Sequence, residues 1–218
     1  MRARWVGDRA LLLECADGDE VRAAHAEAER RRDEGLLRCQ DLVPGATTLL
    51  IDGLLDGLLD GLLDGLLDGP AADASLLGDL DEWPREPPAA QESAVVELRV
   101  TYDGPDLESV AEHTGLSVDE VVERHRRTDF VVAFCGFAPG FAYLTGMPAE
   151  LEVPRLDEPR STVPSGSVGL AGAFTGVYPR SSPGGWQLIA RTDERLWDLE
   201  RDPPALLVPG TVVRFVDG

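Results

Sequence analysis

Three arginines and several hydroxyl and amide side chains share the stretch from Arg160 to Thr192, which contains no aspartate or glutamate. The chain as a whole has 40 acidic and 20 basic side chains among its 218 residues, so this segment is cationic against its background. Guanidinium groups bind carboxylates and phosphates through paired hydrogen bonds. The stretch therefore predicts an anion-binding pocket. The alternative is a β-barrel wall whose arginines pair with acids from elsewhere in the chain.

Glycine and proline interrupt the same stretch too often for a helix and suit tight turns between short strands. Alternation along the last of these strands predicts that Gln187, Ile189 and Arg191 share one face. Arg155 and Arg160 flank the sequence L-D-E-P, where a turn would bring both side chains to one side of the barrel mouth.

Composition excludes several classes of protein. The net charge of −20 argues against nucleic acid and anionic membranes as partners. The cysteines, at 15, 39 and 135, form no C-x-x-C pair, so we expect neither a disulfide framework nor a metal site. The first residues hold no apolar signal core, and no apolar run reaches about 20 residues, which predicts a cytoplasmic protein.

Residues 1–68 are predicted to form a small α+β domain. Its expected elements are two strands, a charged helix ended by a glycine, and two further strands, at Arg2–Val6, Ala10–Cys15, Asp19–Glu34, Leu36–Val43 and Thr47–Ile51. The region 69–93 is rich in proline and acidic residues and is predicted to be a linker.

A fivefold tetrapeptide repeat, L-I-D-G followed by four copies of L-L-D-G, occupies Leu50–Gly69. A period of four predicts a helix that buries Leu54, Leu58, Leu62 and Leu66 on one face. Each interior glycine costs about 1 kcal/mol relative to alanine, so a disordered repeat is the alternative. The spacing does not match a calcium-binding loop.

Residues 94–218 are predicted to form a mainly β domain with two helices near its start. A strand at Ala94–Tyr102 precedes them. Asp106 is expected to cap the first helix, and Ser117 with Glu120 forms a capping box for the second. The helix pair imitates a DNA-binding helix-turn-helix, but the acids opening its second helix argue against phosphate contacts. Strands are expected at Phe130–Phe137 and Val212–Val216.

One histidine has a position that suits function. His25 and His113 lie on helix faces predicted to be exposed. His125 ends the second predicted helix, near the start of a barrel strand. We interpret it as a site residue or, alternatively, as a partner of the negative end of the helix dipole.

Four motifs occur in a fixed order: G-F-A-P-G-F-A-Y-L at 136–144, P-R-L-D-E-P-R-S-T-V-P-S-G-S-V-G-L-A-G at 154–172, T-G-V-Y-P at 175–179 and S-P-G-G-W-Q-L-I-A-R-T at 182–192. Together they resemble the B subunit of the prokaryotic ATP-dependent 5-oxoprolinase. That family has also been called allophanate hydrolase subunit 1 and includes a Kip-type inhibitor of a histidine kinase. The resemblance is weaker over the first domain.

The resemblance implies an α+β domain followed by a cyclophilin-like β-barrel. It implies a cytoplasmic hydrolase subunit, inactive alone, in a complex that opens 5-oxo-L-proline to L-glutamate with ATP hydrolysis. The implied partners are a homologous barrel, the C subunit, and an A subunit of the LamB/YcsF type. A regulator of a sensor histidine kinase, or a component of an allophanate- or urea-related amide hydrolase, is the alternative.

The resemblance also supplies pocket candidates but no catalytic residue. The candidates in matching motif positions are Arg155, Arg160, Ser167, Thr175, Tyr178, Ser182, Gln187 and Arg191, to which we add His125 from its own position. ATP is expected to bind to the assembled complex. Phe174 departs from the family pattern, because a glutamine usually stands there before T-G, and this departure leaves the substrate open.

Overall fold

The computed structural model describes residues 1–7, 9–54, 80–86 and 94–218. The chain divides into two units, Met1–Gln91 and Glu92–Gly218. Most of the L-L-D-G repeat falls outside the described residues, so its helical face at Leu58, Leu62 and Leu66 stays a prediction. Leu54, at the start of the repeat, packs against the core of the first unit. No helix in the described ranges is long and apolar enough to cross a membrane.

The first unit packs one helix on an antiparallel sheet. Its elements are β1 (Arg2–Val6), β2 (Ala10–Glu14), α1 (Gly18–Asp33), β3 (Asp41–Pro44) and β4 (Thr48–Asp52). The strands lie in the order β1-β2-β4-β3. Alternate side chains of β2 and β4 meet alanines of α1 in the core, as period-two and helical patterns require.

The predicted strand Leu36–Val43 is too long. β3 begins only at Asp41, because the backbone just after α1 makes its hydrogen bonds to the end of that helix. Gly35 takes a positive φ of 73°, and the N–H groups of Leu36 and Leu37 both donate to the Arg31 carbonyl. This is how helix C-termini satisfy their last carbonyls. Leu37 then enters the core.

Part of the predicted linker packs on the first unit. A short 3-10 turn at Leu80–Glu82 buries Leu80, and Trp83 is buried beside it. The Arg31 guanidinium lies 5.0 Å from the centre of the Trp83 ring. Arg85 hydrogen-bonds to the Glu20 carboxylate, which also accepts the Ala16 N–H at 2.6 Å.

Glu20 is expected to make the first unit sensitive to acid. The Ala16 N–H, ahead of the Arg85 guanidinium, lowers the pKa of Glu20 from 4.5 to about 2 despite burial. The stability that the Glu20 carboxylate gives to the first unit is fully present above pH 4.5 and is lost as the pH falls from 4.5 towards 2. Glu20→Gln should cost about 1.5–3 kcal/mol at pH 7 and reduce that acid sensitivity.

Hydrogen exchange of α1 peptides in increasing urea measures this loss in the first unit alone. The matched control is Glu34→Gln, which removes an exposed carboxylate 2.5 Å from Arg30 and should cost about 0–1 kcal/mol. Equal losses in the two variants would contradict the role given to Glu20.

The second unit contains two helices and nine strands among its described residues. In chain order these are β5 (Val95–Val100), α2 (Leu107–Thr114), α3 (Val118–Arg127), β6 (Phe130–Cys135), β7 (Ala142–Thr145), β8 (Arg160–Val163), β9 (Ser167–Ala171), β10 (Phe174–Val177), β11 (Ser182–Gly184), β12 (Gln187–Arg191) and β13 (Val212–Asp217).

Seven of these strands form a barrel. Their order is β12-β9-β10-β7-β6-β13-β5, and every pair is antiparallel except β13 with β5. The two edges meet where Thr101 and Arg191 exchange backbone hydrogen bonds of 2.9 Å. β8 and β11 form a separate two-stranded ribbon. The predicted α+β domain followed by a mainly β, cyclophilin-like barrel is confirmed.

The two helices follow β5, as predicted, and the capping box of Ser117 and Glu120 is confirmed. Asp106 is the N-cap residue of α2, as predicted, but a side-chain cap is wrong, because its carboxylate makes no hydrogen bond to its own helix. The backbone at Gly104 packs closely on β12, since a Cβ there would lie 2.3 Å from the Leu188 carbonyl oxygen. The Asp106 side chain accepts a hydrogen bond from β12, from the Leu188 N–H.

Candidate functional site

An aromatic cluster covers the outer face of the barrel. Val168 and Leu170 of β9 point into the barrel core, whereas Ala171 belongs to a second cluster on the opposite face. We call this second cluster the ring cluster. Its buried members are Phe141, Val163, Ala171, Tyr178, Trp186 and Leu188, and Tyr143 and Phe174 are half-buried at its edge.

Glycines let the rings approach the strand backbones closely. A Cβ at Gly176 would lie 3.2 Å from both the Phe141 and the Trp186 rings. A Cβ at Gly184 would lie 2.4 Å from the Tyr178 hydroxyl. Glycine is therefore required here for the close approach of side chains, which is one of its main uses in strands.

The β6–β7 loop begins with a strained turn at Phe137. Its φ is +67°, and no other non-glycine residue in the described ranges has a positive φ. The Ala138 N–H donates to the Gly136 carbonyl at 2.7 Å, which makes a γ-turn centred on Phe137. Such a conformation costs of order 1–3 kcal/mol and is found preferentially at functional sites. Phe137 is 59% exposed, and its ring contacts Phe141 and Tyr178 edge to face.

Arg160 is held beside the ring cluster by Asp106. The Arg160 Nη2 donates to Asp106 Oδ1 at 2.6 Å, and Asp106 Oδ2 accepts the Leu188 N–H at 2.6 Å. Asp106 is buried, so both of its oxygens are satisfied by the protein. This fixes the guanidinium relative to β12.

Polar atoms without a partner lie next to this anchor. The Nη1 of Arg160 and the Oγ of Ser182 are buried and have no hydrogen-bond partner among the described residues. Ser182 pairs with Val163 across the β8–β11 ribbon, and Val163 belongs to the ring cluster, so Ser182 faces the cluster too. Buried polar groups are nearly always satisfied, so these two groups are free to hydrogen-bond to a ligand or to water.

Tyr178 connects the rings to the charges. Burial raises the pKa of its hydroxyl, while a hydrogen bond from the Trp186 backbone N–H and the charges of Arg155 and Arg160 oppose that rise. The hydroxyl therefore stays protonated at neutral pH and can donate a hydrogen bond. Arg155 itself is exposed.

His125 is a neutral core residue. It is fully buried between Phe130 and Phe215, and burial lowers its pKa to about 3. One tautomer satisfies all neighbours: the Tyr102 hydroxyl donates to Nδ1 at 2.8 Å, and Nε2–H donates to Thr175 Oγ1 at 3.1 Å. The Thr175 hydroxyl then donates to the Gly169 carbonyl. Neither predicted role of His125, a site residue or a partner of the helix dipole, fits these surroundings. Thr175 belongs to the same buried chain of hydrogen bonds.

A β-bulge separates Arg191 from Gln187. Gln187 pairs with Leu170, but Arg191 pairs with Ser167, because the register shifts between Leu188 and Ala190. Paired residues share a face. The predicted common face of Gln187 and Arg191 is therefore wrong, and Arg191 instead forms an exposed ion pair with Asp103 at 2.9 Å.

The sequence-predicted residues thus fall into separate groups. Gln187 is buried and donates to the Pro154 carbonyl at 3.2 Å, with its Oε1 unpartnered among the described residues. Ser167 lies with Arg191 on the outer side. The structure brings together three candidates at the ring cluster: Arg160, Tyr178 and Ser182.

Two residues of this site were missed by sequence reasoning. Asp106 follows Gly-Pro at a predicted helix start, which is also what a helix cap looks like. Phe137 sits in an apolar run that predicts a buried strand, so its strain and exposure leave no signal in the pattern.

A sequence profile described as carboxyltransferase domain, subdomain C and D, matches residues 1–207. The B subunit of the 5-oxoprolinase of Escherichia coli O157:H7 is 52% identical over 141 residues, which cover 63% of this chain and 65% of the relative. The corresponding 5-oxoprolinase B subunit of Bacillus subtilis (strain 168) is 49% identical over 125 residues, covering 56% and 52%. The chain thus spans less than two thirds of either curated relative.

Solved structures share the fold. The crystal structure of TTHA0988 matches with a TM-score of 0.75 and 33% identity, covering 96% of this chain and 40% of that one. The K. lactis urea amidolyase matches with a TM-score of 0.73 over 99% of this chain and 15% of that one. Its 18% identity supports the fold alone.

Proposed function

The chain belongs to the family described as carboxyltransferase domain, subdomain C and D, and on that premise we propose that it is a non-autonomous subunit of an ATP-dependent 5-oxoprolinase. The complex would open the lactam of 5-oxo-L-proline to give L-glutamate. The observation that carries this proposal is the 52% and 49% identity to two proteins named as the B subunit of 5-oxoprolinase.

The ring cluster suits a small cyclic acid. The unpartnered Arg160 Nη1 is a charged donor for a carboxylate, and the Ser182 and Tyr178 hydroxyls are neutral donors beside it. Asp106 keeps the guanidinium in place, so the orientation of Arg160 does not have to be ordered on binding. In this role the chain's residues bind and orient the substrate, and we assign none of them to the chemical step.

ATP and the partner chains belong to the same proposal. Relatives named as the B subunit of an enzyme imply further subunits, which we take to be a homologous barrel, the C subunit, and an A subunit of the LamB/YcsF type. ATP would bind to the assembled complex, and we place the complex in the cytoplasm. The chain has no lysine and no G-x-x-x-x-G-K-[ST] loop, which fits an ATP site completed elsewhere.

Reconstitution tests the proposal directly. The purified chain alone should release no phosphate from ATP in response to 5-oxo-L-proline, and the chain with both partners should do so and form L-glutamate. Urea and allophanate serve as alternative substrates in the same assay. Turnover by the chain alone would refute the non-autonomous role, and turnover only with urea or allophanate would refute the substrate.

A further inference from the structure

Apart from Phe137, all residues with a positive φ in the described ranges are glycines. These positions are Gly7, Gly35, Gly53, Gly115, Gly140, Gly146, Gly166, Gly172 and Gly210. Phe137 is the exception within the described ranges. A glycine there would meet the same turn without strain. A phenylalanine at such a position needs a reason that the backbone does not give.

Core packing does not supply that reason. Phe137 is 59% exposed, so the protein does not bury it as a core residue. Its two ring contacts, to Phe141 at 5.3 Å and Tyr178 at 6.3 Å between centroids, are both edge to face. This arrangement extends the ring cluster outward as a wall.

The turn is held firmly in place. The Phe141 N–H donates to the Ala138 carbonyl at 2.9 Å and closes the loop behind Phe137. A Cβ at Gly140 would lie 2.9 Å from Trp197 Cβ, so the chain near Trp197 packs directly on the loop backbone. The ring is therefore presented by a fixed support, as a binding residue requires.

The wall stands beside the unpartnered donors. Tyr178 contacts the Phe137 ring on one side, and its hydroxyl lies against Gly184, which pairs with Arg160 across the ribbon. Ser182 faces the same cluster. An apolar wall with a guanidinium and a hydroxyl nearby matches a compact ring that bears one carboxylate.

We propose that Phe137 is a substrate-contacting residue whose strained turn holds its ring against the flat face of a small cyclic carboxylic acid. This inference rests on the proposed function and names how 5-oxo-L-proline is held. The apolar ring atoms of the substrate would pack on Phe137, with its carboxylate towards Arg160.

The test uses the reconstituted complex and three variants. Phe137→Ala keeps the strain and loses the ring, Phe137→Gly loses both, and Phe137→Tyr keeps both. We expect KM for 5-oxo-L-proline to rise at least tenfold in the alanine and glycine variants, with kcat within threefold of the wild type. The tyrosine variant should stay within threefold in KM. Phe137→Gly should melt no lower than Phe137→Ala.

The control Val95→Ala removes another exposed apolar side chain of the second unit and should leave KM unchanged. A wild-type complex without 5-oxoproline-dependent phosphate release would refute the proposed function and this inference with it. Turnover with unchanged KM in Phe137→Ala and Phe137→Gly would overturn the inference alone. Failure of either variant to co-elute with its partner chains would also overturn it, because the ring would then belong to an interface of the complex.

Discussion

Replacing His125 by alanine is expected to destabilise the second unit by about 3–5 kcal/mol at pH 7. The change empties a site packed between Phe130 and Phe215 and leaves the hydroxyl of Tyr102 without its acceptor. Thr175 loses a donor at the same time. Hydrogen exchange of barrel peptides in increasing urea measures the loss. His113→Ala, on the exposed face of α2, is the control and should cost less than about 0.5 kcal/mol.

The same variant has a pH signature. Burial lowers the pKa of His125 from 6.5 to about 3. Between these pH values the histidine is protonated in the unfolded chain and neutral in the folded chain. Stability present above pH 6.5 is therefore lost as the pH falls from 6.5 towards 3. Between pH 7 and pH 5 the wild type should lose about 2 kcal/mol through this group, and His125→Ala should not. A constant gap between the two proteins would contradict a neutral core histidine.

Arg160→Lys in the reconstituted complex is expected to lower kcat/KM roughly 100-fold, or about 2.7 kcal/mol. An ammonium group can still pair with Asp106, but it cannot also present a second, rigidly placed donor to a carboxylate. The melting temperature should stay within about 2 °C because the buried ion pair survives. Steady-state phosphate release and thermal unfolding, measured on the same preparation, separate the two effects.

The control for Arg160 is another arginine paired with an aspartate. Arg214 makes two hydrogen bonds of 2.8 Å to Asp129 on the exposed surface. Arg214→Lys should change both activity and stability little, since exposed pairs contribute about 0–1 kcal/mol. Near-normal activity of Arg160→Lys would return Arg160 to the alternative interpretation, a barrel wall whose arginines only pair with acids.

Local patterns predicted the elements well where one physical signal dominated. The capping box at Ser117 and the turn glycine after α1 fixed helix ends, and period-two alternation found β2 and β4. The start of β3 was predicted too early because the N–H groups of Leu36 and Leu37 hydrogen-bond to the end of α1. Closure of the barrel through Thr101 and Arg191 depends on long-range pairing and has no local signal.

The site was harder to predict for the same reason. Arginine, serine and tyrosine types indicated an anion pocket, and the structure brings Arg160, Ser182 and Tyr178 to one cluster. A single bulge in β12 puts Gln187 and Arg191 on opposite faces of the strand, and bulges depend on tertiary pairing. His125 suggested a functional role only because histidine is a common catalytic residue. Its buried surroundings make it a packing residue.

The parallel pairing of β13 with β5 has a consequence for how the chain is made. β13 runs beside the first strand of the barrel over their full length, from Val212 with Val95 to Asp217 with Val100. During synthesis β5 emerges long before β13, and until then its backbone N–H and C=O groups on that side have no strand partner. Long-range closure of this kind is slow, and a waiting edge invites contact with other chains. Loss of β13 would leave that edge open permanently, so a nascent barrel depends on this late strand for protection from aggregation.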